Sequence, residues 1–143
     1  ANHLLFNGVH LVGDWETGDV YALDMDTYTD NGDPILRLRA TQTLEAEQKR
    51  VFVSSLQIDM ETGVGLATGQ GSAPELMMRY SFDGGHSWSN LRTASIGGVG
   101  AYGTRALFRR LGQGRNRVWE ISMTDPVKFA VFGAFAEVNR GTS

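Results

Sequence analysis

Ser81-Phe82-Asp83-Gly84-Gly85-His86-Ser87-Trp88 is the stretch that decides the fold. An apolar run (Leu76, Met77, Met78, Tyr80) enters it, and a more polar run (Leu91, Arg92, Thr93) leaves it. Asp83 is placed to accept backbone N–H bonds inside a tight turn. Gly84 and Gly85 permit positive φ where the chain reverses. Trp88 can fold back over the turn as an apolar plug. The stretch predicts an antiparallel β-hairpin stapled by Ser81, Asp83, Gly85 and Trp88, residues with a structural rather than a chemical task.

Outward from this hairpin, strand signals dominate. Runs at 9–12, 20–23, 35–40, 51–58, 76–80, 105–108, 118–122 and 127–138 are rich in β-branched, aromatic or alternating apolar residues. The run at 127–138 reads as a strand buried largely on both sides. In the 118–122 run, Val118 and Trp119 alternate with Glu120, which predicts that one face enters the core. Turn signals separate the runs: Asn7-Gly8, Thr17-Gly18-Asp19, Asp30-Asn31-Gly32-Asp33-Pro34, 69–74, and Gly112-Gln113-Gly114. The one helical candidate is 43–49, at most two turns, and Val51-Phe52-Val53 follows it at once.

The 81–88 pattern, Ser-x-Asp-x-Gly-x-Ser-Trp, is an Asp box, a motif found in the hairpins of propeller blades. Three ungapped segments beginning at Tyr21, Met78 and Trp119 share a strand, a small polar residue, an apolar residue and a turn-forming oxygen. Their spacing is about that of a blade, roughly 40–50 residues. Any two β-hairpins share this much, so chance similarity is a serious rival to a true repeat. The expected fold class is all-β, with antiparallel four-stranded sheets of propeller-blade type in about three whole or partial blades, at 1–42, 50–96 and 101–140. Three blades do not close a ring, since propellers use about four or more. The chain is therefore expected to be part of a larger protein, or its sheets to pack as a sandwich-like array.

Composition is that of a globular protein: 41% hydrophobic and 20% charged, with 18 glycines, 3 prolines and no cysteine. The lack of cysteine rules out disulfides and thiolate-bound metal. No apolar run reaches the roughly 18–20 residues of a membrane span. Ala1-Asn2-His3 has no basic leader-type region, and the start without Met fits a trimmed or partial chain. The net charge of −3 hides a segregation: eleven acids lie between Asp14 and Glu61, while 92–117 holds six arginines and no acid. Arg105, Arg109, Arg110, Arg115 and Arg117 are candidate contacts to the acidic face of a neighbouring copy. The alternative for Arg115 and Arg117 is an exposed pair that guards a sheet edge. Direct nucleic-acid contact is the less favoured reading, because the chain is acidic overall and shows no aromatic–basic platform.

Catalytic and metal chemistry finds little support. Asp24, Asp26, Asp30 and Asp33 do not have EF-hand spacing and read as Asx-type turns closing a hairpin. Gly98-Val99-Gly100-Ala101-Tyr102-Gly103 spells G-x-G-x-x-G, but a strand pattern follows where a dinucleotide site needs a helix. His3, His10 and His86 lack metal-ligand spacing, and no serine sits in a nucleophile elbow. No catalytic residue, metal or cofactor is assigned.

A second, longer run carries a family resemblance. Arg109-Arg110-Leu111-Gly112-x-Gly114-Arg115-x-Arg117-Val118-Trp119-x-x-Ser122-x-Thr124-Asp125-Pro126-Val127-Lys128 leads into Phe132-Gly133-Ala134. Upstream stands Gly13-Asp14-Trp15…Gly18-Asp19-Val20-Tyr21-x-Leu23-Asp24. These runs resemble short-tailed phage packaged-DNA stabilisation or tail-accessory (head-completion) proteins, in their C-terminal propeller-like part. The resemblance implies a non-enzymatic virion component. It would be made in the host cytoplasm and would assemble with itself and other virion proteins as a ring that closes the portal channel over packaged DNA. The alternatives are an Asp-box carbohydrate-binding or sialidase-like glycosidase propeller, with Arg79, Arg92 and Arg105 as carboxylate ligands and Tyr80 or Tyr102 as nucleophile, and a bacterial propeller adhesin or sensor.

Overall fold

Alternating apolar side chains and positive-φ turns divide the chain into short strands. A computed structural model describes residues 2–45 and 49–141. Its strands are β1 (His3–Phe6), β2 (Val9–Gly13), β3 (Val20–Leu23), β4 (Thr29–Asp30), β5 (Asp33–Pro34), β6 (Arg37–Ala40) and β7 (Leu44–Glu45). They continue as β8 (Val51–Met60), β9 (Glu75–Ser81), β10 (Arg92–Ser95), β11 (Ala106–Arg109), β12 (Gln113–Gly114), β13 (Asn116–Met123) and β14 (Val131–Arg140). All pairings are antiparallel. No helix long and apolar enough to cross a membrane occurs among the described residues.

Two sheets form a sandwich. One runs β10-β9-β13-β6, with β7 beside the start of β13. The other has β8 at its centre, with β11 and β12 on one edge and β14 on the other. Leu56, Ile58 and Met60 of β8 meet Leu76 and Met78 of β9 and Trp119, Ile121 and Met123 of β13 in one core, closed by Phe108, Leu111 and Val127. Burying facing sheet surfaces in this way is what stabilises a two-layer β fold.

Four sequence expectations change here. Strands of the 50–96 and 101–140 units pair across the proposed boundary, β8 with β11 and β14, and β9 with β13. These residues therefore form opposed layers rather than consecutive blades, because the long strands β8 and β13 bury most area as sheet centres facing one another. The 127–138 run begins its strand at Val131 and is largely exposed, because β14 has one neighbour and little sheet above it. β13 is buried on both faces rather than one: Trp119, Ile121 and Met123 enter the core, and on the other face Arg79 covers Glu120. Of the helical candidate 43–49, Leu44–Glu45 is strand, and residues 46–48 lie outside the described residues.

The first third of the chain stands apart from this core. β1, β2 and β3 form a separate meander, followed by the β4–β5 hairpin turned by Asn31 (φ 46°) and Gly32 (φ 93°). Asp24 accepts from the Asp26 N–H and the Thr27 hydroxyl in an Asx turn. Arg37 joins the two regions. It donates to the carbonyls of Asp125 and Val127, and its guanidinium lies 6.0 Å from the Tyr28 ring centroid and 5.8 Å from that of Phe129.

Candidate functional site

The 81–88 hairpin connects β9 to β10, whose register pairs Met78 with Arg92 and Leu76 with Ala94. The Ser81 hydroxyl donates to Asp83 Oδ1 at 2.6 Å and accepts from the Gly85 N–H at 2.9 Å. Ser87 donates to Asp83 twice, through its N–H at 2.8 Å and its hydroxyl at 2.5 Å. These bonds, Ser81's first and then Ser87's, hold the Asp83 carboxyl far below the usual carboxylate range. Gly84 and Gly85 take φ of 72° and 98°. Trp88 is half-buried and covers Arg79, whose guanidinium is 4.6 Å from its ring centroid. His86 is exposed at the tip.

The hairpin stands at one end of the sandwich, where arginines collect. Strand register brings Arg50 and Arg140, which flank the Val51 end of β8, close to Arg115 just before β13. Arg110 lies on the same side, its N–H bonded to the Ser54 carbonyl. Arg109 and Arg110 are exposed, and their carbonyls accept from Arg92. Arg105 is exposed at the other end of β11, away from this group.

Arg117 differs from its neighbours. Instead of flanking an exposed edge, it is 5% exposed. Its guanidinium carbon lies 4.9, 4.9 and 4.8 Å from the ring centroids of Tyr80, Phe82 and Trp119. Both terminal nitrogens are buried without a hydrogen-bond partner. The rings attract the cation, while burial pulls its pKa down. Arg115, by contrast, is exposed outside the strand. The sequence carried one signal of this burial: Arg117 shares the strand alternation of Trp119, Ile121 and Met123.

Beside Arg117 the sandwich is open. β6 and β7 edge one sheet and β14 edges the other, and among the described residues no strand bridges them. Two clefts, of about 340 and 200 Å³, lie along this seam and share Leu44, Trp119 and Ala136. Leu56, Ile58 and Ile121 line the larger cleft, with Arg39 on its rim. Val51, Val53, Arg115 and Arg117 line the smaller, and among the described residues Glu45 is the one acid that either cleft touches. Sequence patterns give no sign of this seam, because it is an absence of pairing between strands far apart in the chain.

Acids collect at the opposite end. Asp125 accepts from the Glu75 N–H, Glu61 pairs with Lys128 at 2.7 Å, and the acidic 24–33 segment adjoins through Tyr28 and Arg37. The Lys128 pKa is raised chiefly by Glu61 and slightly by Asp26.

The arginines considered for a sugar carboxylate are not brought together. Arg79 is engaged by Glu120 and Trp88, Arg92 by backbone carbonyls, and Arg105 stands elsewhere. The 98–103 glycines form a loop packed against residues 63–65, where a Cβ on Gly65 would lie 2.9 Å from Gly98 Cα, and the strand β11 follows. Among the described residues no group of three His, Cys, Asp or Glu is placed to hold a metal ion.

The two-layer region coincides with a known family. Residues 37–139 match the family model described as bacteriophage P22 Gp10, β-sandwich. The match opens on the first residue of β6 and closes one residue before the end of β14. No curated protein matches the chain. Since the match spans well over half of its length, the chain belongs to the bacteriophage P22 Gp10 β-sandwich family.

Proposed function

We propose that this chain is a non-enzymatic structural component of a short-tailed phage virion, part of the tail or head-completion assembly at the portal vertex. Membership in the bacteriophage P22 Gp10 β-sandwich family carries this reading and supports a structural role in a phage particle. In the proposal, copies of the protein associate as a ring, contact other virion proteins and help to close the channel over packaged DNA. Arg50, Arg110, Arg115 and Arg140 gather at one end of the sandwich and Glu61, Glu75 and Asp125 at the other, beside Arg37 and Lys128, and this imbalance favours repeated contact between unlike surfaces. A blade-like reading attaches only to 3–23, where three strands follow one another in up-and-down order.

The test is a phage carrying a stop codon in this gene. Mass spectrometry of wild-type particles is expected to find the protein, and mutant heads are expected to fill with DNA and lose it on purification. Stable, DNA-retaining particles without the protein would overturn the proposal. Turnover of an aryl sialoside would favour the glycosidase reading instead.

A further inference from the structure

The N-terminal meander presents an apolar surface that the described residues leave bare. Its register puts Leu4, Phe6, Val9, Leu11, Val20 and Ala22 on one face. Leu4, Phe6 and Val20 are 60, 66 and 66% exposed. An isolated sheet of this size needs a packed face to be stable in water. Its outer strand, β3, pairs on one side only, and its sequence is bracketed by carboxylates: Asp19-Val20-Tyr21-Ala22-Leu23-Asp24.

The open seam has the complementary character. Its floor is apolar, both flanking edges have free backbone groups, and arginines stand at its two ends. Arg39 is level with Ile121, four residues along β13 from Arg117. Among the described residues the terminal nitrogens of Arg117 have no hydrogen-bond partner, and Glu45 lines the same cleft. Within one chain the segment after the meander reaches the sandwich at the Asp125–Lys128 end, where Arg37 lies beside Tyr28, the length of β13 away from Arg117.

We infer that the seam between β6–β7 and β14 receives the β3 edge of a second copy. Asp19 and Asp24, one at each end of β3, then bring negative charge to the arginine-bearing ends of the seam, and apolar side chains of the meander cover the cleft. The contact joins two different surfaces, so it propagates head to tail. Backbone pairing supplies affinity, and the two carboxylates set register. The inference rests on the proposed self-assembly and names the surfaces that carry it.

Charge exchange tests it. Asp19→Lys/Asp24→Lys alters the strand, and Arg39→Glu/Arg115→Glu alters the seam while leaving the buried Arg117 in place. Each double variant should keep the wild-type circular-dichroism spectrum and associate at least about tenfold more weakly in sedimentation equilibrium. Mixed in equal amounts, the two should assemble again in alternation, because both reversed charge sets then match. Wild-type association by either variant alone, no recovery on mixing, or a monomeric wild type would overturn the inference. A monomeric wild type that is nonetheless found in virions would overturn it alone, whereas charge-exchange assembly with no protein in virions would overturn the virion reading alone.

Discussion

Glu120 and Arg79 face each other across the β13–β9 pair, and Arg79 Nε donates to Glu120 Oε1 at 2.5 Å. Trp88 closes the same guanidinium from the hairpin side. Trp88 of the hairpin and Glu120 of the central strand are thus joined through one cation. Glu120 is buried while the Arg79 side chain is 35% exposed. Glu120→Ala should therefore cost about 1–2 kcal/mol, less than a fully buried pair. A urea midpoint within error of wild type, at unchanged m, would contradict this.

Gly97 and Gly100 separate backbone strain from crowding. Both have positive φ, +82° and +80°. A Cβ on Gly97 would meet Thr104 Oγ1 at 2.5 Å and Ala101 Cβ at 2.8 Å, whereas one on Gly100 would meet nothing within 4 Å. Gly100→Ala should cost roughly 1 kcal/mol from the backbone alone. Gly97→Ala should lose a further ~1–3 kcal/mol. Equal melting temperatures for the two variants would show that the loop relaxes freely.

Asp83 predicts an acid-dependent loosening of the hairpin. Its folded pKa is depressed by the Ser81 and Ser87 bonds from an ordinary value of 3.8. The stabilisation is fully present above the unfolded value and is lost as pH falls toward the folded one. Asp83→Asn should lower the melting temperature at neutral pH, with the gap to wild type constant down to about pH 5 and closing below about pH 4. Thermal scans across that range test it, and a gap that widens in acid would refute the assignment.

Arg117 predicts a contrast between shape and charge. Its three rings favour the cation by about 0.5–2 kcal/mol each, against a desolvation penalty of several kcal/mol for an unpaired buried ion. Arg117→Met keeps most of the packed stem and should stay within about 1 kcal/mol of wild type. Arg117→Ala also removes the stem and should lose about 2–4 kcal/mol. Equal losses in chemical denaturation would mean that the charge, not the packing, holds this end of the sandwich.

Much of the strand map is legible in the residues themselves. The expected runs at 9–12 and 20–23 fall within β2 and β3, and the 51–58 and 76–80 runs within β8 and β9. The hairpin residues Ser81, Asp83 and Ser87 bond to one another over at most six positions, so their arrangement follows from local chemistry. The 43–49 segment has helix-forming residues, yet Leu44 and Glu45 pair with Arg117 and Asn116. There tertiary pairing outweighs a weak local preference.

What the order of residues determined by itself was the set of turns and strands, the segregation of charge, and the motif run that resembles tail-accessory proteins. These depend on side-chain alternation and on φ at single glycines, which act within a few residues. Only the tertiary structure decided that β8 lies between β11 and β14, that Arg117 enters an aromatic cage, and that a seam stays open beside it. The physical reason is that partner choice among strands depends on the area buried between segments distant in the chain, such as Ser55 and Glu137, which no local pattern encodes.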